Sequence, residues 1–262
     1  MKRFENIDLP EPSEINGPIT VVFISSSYFD VFENWHKFAE NYTNDRLLIV
    51  ALDKETERLV VEKNLKSYYL EWGGSLSELW SLRVRFLARL LELGYDLIHS
   101  DADAIWMKDP IEYCNSFDVD MIFSQGTVWP DDVHNKLGVV VCCGFFYIRS
   151  NPKTTGFFAE WERRVLEDGD DQRALNRLLM AEGVEWPHNE DYNLIFRGKR
   201  FRCFNELQKI DIRSGLILAL LPHSLFQRFP EIKEAYVKHP ISEKESSSIQ
   251  IELRKHGCWK LL

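Results

Sequence analysis

The sequence lacks the features that mark membrane-spanning and secreted chains. Its longest stretch without charged or strongly polar residues runs from Leu137 to Ile148, whereas a helix that spans a bilayer takes about 20 residues. Residues 1–18 contain two basic residues but no apolar core behind them, so we expect neither a signal peptide nor an anchor. The sequence therefore predicts no transmembrane segment.

Basic residues and cysteines are also scarce. The chain has 32 Lys and Arg against 41 Asp and Glu, a net charge of −9 at pH 7. Long phosphate backbones select proteins with an excess of Lys and Arg, so we expect no nucleic acid polymer as a partner. Five cysteines, an odd number without framework spacing, indicate reduced thiols and a cytoplasmic location. Cys142 and Cys143 lie inside an apolar run, and both thiols are expected to be buried.

What is present is a globular α/β pattern. Hydrophobic residues make up 45% and aromatic residues 13% of the 262 residues, which excludes a disordered chain and suits a single domain over 1–262. Strand patterns alternate with helical patterns through the first half, at 19–27, 28–40, 46–53, 55–65, 67–70 and 76–93. The second half is less regular, with strands and helices predicted at 118–125, 139–150, 153–167 and 171–182. The alternation predicts a Rossmann-like, mostly parallel sheet flanked by helices, with ligands bound beyond the carboxyl ends of its strands.

Two carboxylates follow the apolar strand that begins near Tyr95. Asp101 and Asp103 are separated by one small residue, and like charges this close are stable mainly when a cation or a pair of donors lies between them. Mg²⁺ and Mn²⁺ are hard divalent ions that accept oxygen ligands and keep positions open for diphosphate oxygens. A turn with solvated aspartates is the commoner explanation of a bare D-x-D, so the triplet alone is a weak signal.

The surrounding motifs make the signal more specific. The helix end LELGY at 91–95 leads to a strand, the D-x-D, Trp106 and Asp109–Pro110. Three more segments follow in order, GFFYIRSNPKT at 144–154, DQRALN at 171–176 and YVKHP at 236–240. Together they resemble the metal-dependent GT-A glycosyltransferases, and more closely the nucleotide-diphospho-sugar transferase family that includes plant arabinosyl- and xylosyltransferases. The family strand usually carries an Asn before its glycine, where this chain has Cys142–Cys143.

The resemblance implies a GT-A fold with a nucleotide-binding half at about 19–110 and a smaller, mixed acceptor half at about 111–262. It implies that Asp103 is a direct metal ligand and that Asp101 binds the metal or the ribose of the donor. His239 would be the third ligand, although a histidine before a proline is also common at a surface. An imidazole among oxygen ligands favours Mn²⁺ over Mg²⁺.

The resemblance also implies residues that bind the donor. It places a basic residue on the helix before the D-x-D, which is Arg83 or Arg85, to bind the diphosphate; a solvated helix face is the alternative. Further donor contacts are expected at the ends of the first two strands and at the glycine of the third motif, namely Ser25, Ser26, Ser27, Asp53 and Gly144.

Asp171 and Gln172 are the candidate catalytic residues. The resemblance implies that Asp171 faces the donor sugar, where it would bind hydroxyl groups or support positive charge that develops at the anomeric carbon. An aspartate before a helical pattern is also explained by N-capping alone. Both interpretations are compatible, because a cap at the end of a strand lies in the cleft.

The loop WPDDVHN at 129–135 is a weaker candidate for the acceptor site. Trp129, Asp131 and Asp132 are typical of loops in which aromatic faces stack on sugars, and an exposed turn capped by aspartates is equally consistent with them. Trp186, with His188 and Asp191 nearby, is interpreted as a packed tryptophan in a loop and not as part of a ligand cluster.

These observations predict a metal-dependent glycosyltransferase. It would move a sugar from a nucleotide diphosphate sugar to a hydroxyl group of a glycan or glycoprotein, with retention of configuration. A UDP-sugar is the first candidate for the donor. A haloacid-dehalogenase-type phosphotransferase also uses D-x-D after a strand, but Ile105 does not match its motif and about a hundred residues precede the triplet. A non-catalytic binder of sugar nucleotides is the third possibility.

Overall fold

The computed structural model describes residues 7, 9–231, 234–243 and 245–261. Part of the N-terminal segment at 1–18 therefore lies outside the described residues. Thirteen strands are present in that part of the chain: β1 (Ile19–Ile24), β2 (Leu47–Ala51), β3 (Ser67–Tyr69), β4 (Leu97–Ser100), β5 (Ile105–Trp106), β6 (Met121–Gln125), β7 (Val141–Ile148), β8 (Tyr192–Phe196), β9 (Lys199–Cys203), β10 (Gln208–Asp211), β11 (Ile217–Leu220), β12 (Phe226–Gln227) and β13 (Val237–Lys238).

The helices begin where the sequence supplies caps. Asp53, Ser75 and Asn151 each accept a hydrogen bond from a backbone N–H of the helix that follows, which satisfies a donor that has no partner inside that helix. The helices among the described residues are α1 (Phe29–Thr43), α2 (Lys54–Glu62), α3 (Leu76–Glu92), α4 (Pro110–Asn115), α5 (Asp131–Leu137), α6 (Pro152–Asp168), α7 (Asp171–Ala181) and α8 (Ser246–Lys255).

The central sheet has eight strands in the order β10-β11-β6-β7-β4-β1-β2-β3. Six of them run in one direction and two, β7 and β10, run against them. The chain places β2 and β3 on one side of β1 and β4 on the other. The order in which strands are added to the sheet thus changes direction at β1. This change leaves a crevice beyond the carboxyl ends of β1 and β4, which is where ligands bind in open α/β sheets.

Apolar side chains cover both faces of this sheet. On one face α3, α6 and α7 bury residues such as Phe86, Trp161 and Leu175, and on the other α1 and α8 bury Trp35 and Leu253. Neighbouring strand residues such as Val21 and Val22 belong to opposite faces, as the two-residue period of a strand requires. The predicted α/β sheet flanked by helices is confirmed.

A second, three-stranded sheet in the order β12-β13-β5 lies beside the D-x-D segment. In it β13 pairs antiparallel with β5, with Val237 opposite Trp106 and Lys238 opposite Ile105. A separate hairpin is formed by β8 and β9. The C-terminal segment is thus returned to the strand that follows the two aspartates.

One local feature of this region differs from the sequence pattern. Asp131–Leu137 forms a short helix where the sequence indicated only a loop. No helix in the described part of the chain is both long and apolar enough to cross a bilayer.

Candidate metal centre at the sheet edge

The D-x-D segment leaves the central sheet in a tight turn. The N–H of Asp101 donates to Gly144 O at 2.7 Å, and the N–H of Ala104 donates back to Asp101 O at 3.0 Å. The turn places both aspartates at the carboxyl end of β4, next to the crevice. β7 pairs antiparallel with β4, so Gly144 lies directly beside this turn.

Asp101, Asp103 and His239 meet at this edge. One ligand atom from each side chain lies within 4.8 Å of the others, and His239 Nε2 is 3.2 Å from Asp103 Oδ1. His239 arrives from the end of β13, whose antiparallel pairing with β5 brings it back beside Asp103. The three residues that the sequence implied as metal ligands are therefore close in space, although 136 positions separate the last two.

Gly144 leaves the room that this arrangement needs. A Cβ atom at position 144 would lie 2.2 Å from His239 Cε1 and 2.8 Å from Asp101 Oδ2. Either distance is far below van der Waals contact. The glycine is thus explained by the close approach of two of the three candidate ligands.

The donor set of the group (Asp101, Asp103 and His239) fits a divalent cation. Two carboxylates supply oxygen, an imidazole supplies nitrogen, and this combination suits Mn²⁺. His239 is 7% exposed, and its Nδ1 has no hydrogen-bond partner among the described residues. Burial and Arg228 lower the pKa of His239, but Asp103 and Cys142 together outweigh both and raise it to about 9. The metal-free imidazole therefore carries a proton, which a metal ion would displace.

Arg83, on α3, connects the metal centre to the first turn of α7. Its Nη1 donates to Asp101 Oδ1 at 2.9 Å and its Nε donates to Asp171 Oδ2 at 2.8 Å. Burial raises the pKa of Asp101, but the Arg83 guanidinium beside it holds the pKa well below its usual range. Asp101 is thus ionised and ready to bind a cation.

Arg85 faces another direction. It pairs with Glu162 of α6, Nε to Oε1 at 2.7 Å, with its side chain 41% exposed. Two positions on a helix differ by about 200° around its axis, so both arginines cannot face one site. Of the two candidates, the structure brings only Arg83 to the carboxylates.

His99 supports this network from inside the sheet, and the sequence did not single it out. Its Nδ1 lies 3.1 Å from Val21 O and its Nε2 lies 3.3 Å from Arg83 Nη1. The carbonyl can only accept, so Nδ1 carries the proton and Nε2 accepts from Arg83. Burial lowers the pKa of His99, which keeps the ring neutral.

Asp171 is not the N-cap of α7. Asp170 holds that position and accepts from Arg173 N at 2.7 Å. Asp171 lies at the first helical position, is 2% exposed, and forms its ion pair with Arg83 inside the protein. The capping explanation therefore applies to its neighbour, and Asp171 contacts a basic residue of the site.

Gln172 ties three elements together. Its Oε1 accepts from Cys143 N at 3.2 Å, and its Nε2 donates to Trp129 O at 3.0 Å. Trp129 is 41% exposed, with the guanidinium of Arg173 4.6 Å from the centre of its ring. The candidate acceptor tryptophan is thus held against the beginning of α7.

The two aspartates after Trp129 lie on α5 and form ion pairs with basic side chains. Asp131 pairs with Lys199 and Asp132 pairs with Arg177, both at 2.8 Å. They are consequently part of a charged helix surface and not an exposed turn. Their predicted role toward an acceptor stays a prediction.

Ser25, Ser26, Ser27 and Asp53 are close together at the ends of β1 and β2. Ser26 N donates to Asp53 Oδ2 at 2.9 Å, and Ser25 Oγ lies 3.0 Å from Ser27 Oγ. Asp53 Oδ1 accepts from Thr56 N at 2.7 Å as the cap of α2. The predicted nucleoside residues share one edge with the D-x-D, as the parallel pairing of β1 with β2 and β4 requires.

Tyr28 follows the serines in the chain and is close enough to Asp103 and Asp101 to feel their charge, and the sequence did not identify it. Burial and the negative charges of Asp103 and Asp101 raise the pKa of Tyr28 to about 12. Its hydroxyl therefore stays protonated and can donate to an anionic ligand. The available signal was its position, directly after the small polar residues that end the first strand.

The thiols are buried as predicted. Cys142 is 4% and Cys143 is 2% exposed, and none of the five cysteines forms a disulfide. Trp186 is packed in the core, as predicted. Among the described residues, His188 and Asp191 belong to no group of candidate metal ligands.

Comparison with known proteins places these residues in context. The sequence profile of a family described as nucleotide-diphospho-sugar transferase matches residues 42–257. The chain is similar to arabinosyltransferase XEG113 of Arabidopsis thaliana, 23% identical over 180 residues that cover 62% of this chain and 28% of the relative. It is also similar to UDP-D-xylose:L-fucose alpha-1,3-D-xylosyltransferase 3 of Arabidopsis thaliana, 24% identical over 194 residues that cover 63% of this chain and 51% of the relative. The matched segments thus span about half or less of these relatives.

The fold is also similar to that of a solved glycosyltransferase structure. The glycosyltransferase GlyE of Streptococcus pneumoniae TIGR4 superposes with a TM-score of 0.52, covering 94% of this chain and 65% of that chain. The two sequences are 12% identical, so the likeness concerns the fold alone. It agrees with the GT-A architecture expected from the sequence.

Proposed function

The chain belongs to the nucleotide-diphospho-sugar transferase family, and from this premise we propose that it transfers a sugar from a UDP-sugar to a hydroxyl group of a glycan or glycoprotein, with retention of configuration. The observation that carries the proposal is the convergence of Asp101, Asp103 and His239 at the crevice between β1 and β4. Relatives named as arabinosyl- and xylosyltransferases favour a pentose donor.

A divalent ion, Mn²⁺ in preference to Mg²⁺, would be held by Asp101, Asp103 and His239. When bound, it supplies the Lewis acidity that neutralises negative charge on a departing diphosphate. The protein keeps the ligands in place, with Arg83 bonded to Asp101 and Gly144 leaving the space between Asp101 and His239. Such prearranged charges are usually the largest contribution to catalysis of this kind.

The remaining residues are assigned by position. The edge formed by Ser25–Ser27 and Tyr28 would bind the nucleoside, including its ribose. Asp171 contacts Arg83, so we expect it to act as a positioning residue through Arg83 as well as to face the donor sugar. Gln172 uses its amide on two backbone groups, and it would hold Trp129 where an acceptor sugar stacks on the ring.

The test is an assay of nucleotide release with Mn²⁺ and a panel of UDP- and GDP-sugars that includes UDP-xylose. We expect slow hydrolysis of one UDP-sugar, faster with an acceptor, and lost in Asp103→Asn and with chelator. Asp118→Asn is the matched control, since that carboxylate is 98% exposed and pairs with Arg149 on the surface. Product stereochemistry, read by NMR, tests retention.

Two outcomes would contradict the proposal. Release of phosphate from simple phosphomonoesters, abolished in Asp101→Asn, would indicate a phosphotransferase. Tight binding of UDP without turnover of any sugar nucleotide, with every acceptor tried, would indicate a binding protein.

A further inference from the structure

One ring nitrogen of the candidate metal ligand His239 lacks a partner inside the protein. Its Nε2 lies 3.2 Å from Asp103 Oδ1, whereas its Nδ1 is inaccessible to solvent and makes no hydrogen bond to any residue that the structure describes. Buried polar groups are normally paired in folded proteins. Since solvent does not reach Nδ1, an acceptor for it has to come from the side chains that surround the ring.

The thiol of Cys142 lies on the side of the ring that carries Nδ1. A Cβ atom at Gly144 would lie 2.2 Å from His239 Cε1 and 2.9 Å from His239 Nδ1, so this edge of the imidazole is packed against Gly144. The N–H of Gly144 donates to Cys142 Sγ at 3.4 Å, which holds the sulfur against the same glycine. The glycine thus brings the thiol and the imidazole together.

The contact between Cys142 and His239 also affects the thiol. Burial raises the pKa of Cys142, but the charge of Arg228 and the contact with His239 outweigh it and lower the pKa to about 7. The adjacent thiol of Cys143 has other neighbours, because it packs in the core on the face of α3 and α7. Of these two consecutive cysteines, only Cys142 lies at the histidine.

Asp101 is the other acceptor near this edge of the ring. Its Oδ2 would lie 2.8 Å from a Cβ atom at Gly144, but Asp101 belongs to the group of candidate ligands, and its Oδ1 already accepts from Arg83 Nη1. Cys142 does not belong to that group. The sulfur can therefore act on the histidine from behind without competing for the metal ion.

We infer that Cys142 is a positioning residue, whose Sγ accepts a hydrogen bond from His239 Nδ1 when Nε2 binds the metal ion. A histidine that binds a metal usually donates its second N–H to an acceptor, which fixes the tautomer and the orientation of the ring. A proton on Nδ1 leaves the lone pair of Nε2 for the ion. The inference rests on the metal centre of the proposed function and is independent of the sugar that is transferred.

The experiment measures Mn²⁺ binding to the full chain by electron paramagnetic resonance. Wild type is compared with Cys142→Ala, Cys142→Ser and the control Cys143→Ala, which removes the neighbouring thiol, itself 2% exposed. We expect Cys142→Ala to weaken Mn²⁺ binding about tenfold or more, as loss of the partner behind a ligand does. Cys142→Ser retains an acceptor and should lose less, and the control should bind as wild type does.

A second readout is the magnetic coupling between Mn²⁺ and the nitrogen of the ring, measured by electron spin echo at saturating Mn²⁺. Wild type, Cys142→Ser and Cys143→Ala should show this coupling, and His239→Gln should not. In Cys142→Ala it should be weakened or lost, because the ring is free to turn Nε2 away. A thiol that only fills space would leave the coupling unchanged.

Mn²⁺ affinity and nitrogen coupling that are unchanged in folded Cys142→Ala would overturn the inference. Equal losses in Cys142→Ala and Cys142→Ser would overturn it too, because they would assign the effect to the packing of the sulfur. If Cys142→Ala does not fold, Cys142→Val, which fills the space without an acceptor, replaces it with the same expected results.

The two proposals can fail separately. Turnover of a sugar nucleotide in wild type, together with unaltered Mn²⁺ binding in Cys142→Ala, would keep the proposed function and remove this inference. Mn²⁺ binding that depends on His239 and Cys142, without turnover of any sugar nucleotide, would keep the inference and remove the proposed function.

Discussion

Single residues at the metal centre act by leaving space as much as by filling it. Gly144 carries no ligand atom in its side chain, yet it decides whether Asp101 and His239 can approach each other. The sequence predicted Gly144 from a motif, and the physical reason becomes visible only when the residue at 239 is placed opposite it. Distances between residues so far apart in the chain cannot be read from a local pattern.

Gly144→Ala should therefore damage metal binding more than folding. The new Cβ must displace His239 or Asp101, and we expect the affinity for Mn²⁺ to fall about tenfold or more, since a displacement of 1 Å at a preorganised site is costly. Calorimetric titration with Mn²⁺ measures this. Gly156→Ala is the control, because a Cβ at that helical position meets nothing within 4 Å and should leave Mn²⁺ binding unchanged. Equal Mn²⁺ affinity in both variants would contradict the steric explanation.

Arg83 and Arg85 show what periodicity can and cannot resolve. Both were candidates, since a helical pattern gives their relative angle but not which face meets the site. Arg83 is buried between Asp101 and Asp171, whereas Arg85 pairs with Glu162 near the surface. The packing of α3 against the sheet determines which of the two arginines faces the site.

Replacing Arg83 by Met should leave the buried Asp171 uncompensated and lower the free energy of unfolding by about 3–5 kcal/mol. Arg85→Met, on the same helix, should cost about 1 kcal/mol or less, because its ion pair is partly exposed. Urea unfolding of both variants measures the difference. Similar losses in the two would show that Arg83 does not compensate buried charge.

At the level of elements, the start of α7 determines where Asp171 and Gln172 lie. Sequence reasoning considered Asp171 as the cap, but Asp170 has that role, and two adjacent aspartates before a helix cannot be ranked without backbone geometry. The C-terminal helix was missed for another reason. The composition of the serine-rich stretch 242–248 is typical of a flexible loop, but Ser246–Lys255 is helical and buries Ile249 and Leu253, and the helical spacing of that pair was the available signal.

Asp170→Ala removes the cap of α7 and should lower the free energy of unfolding by about 1 kcal/mol. Because the first turn carries Asp171 and Gln172, we also expect a loss of transferase activity, while Asp170→Asn, which retains the capping oxygen, keeps most of both. Thermal unfolding and nucleotide release measure the two effects. An Ala variant with wild-type stability would contradict the capping role.

At the level of the whole molecule, most of the architecture could be predicted and the site could be predicted only in part. Strand–helix alternation was sufficient for the α/β sheet and for a ligand crevice at its carboxyl edge. The ligand set of Asp101, Asp103 and His239 depended on a family resemblance, because β13 reaches β5 by a long return of the chain. Tyr28 carried no motif, and it is identified by its partial burial and by its charged neighbours.

The most direct measurement is a titration of the full chain with Mn²⁺, followed by electron paramagnetic resonance, with and without UDP. We predict one Mn²⁺ per chain, bound more tightly with UDP. Asp103→Asn and His239→Gln should each weaken it tenfold or more, and His188→Gln, a histidine outside the site, should not. Mn²⁺ binding that is unaffected by Asp103→Asn and His239→Gln would contradict a metal centre at these residues.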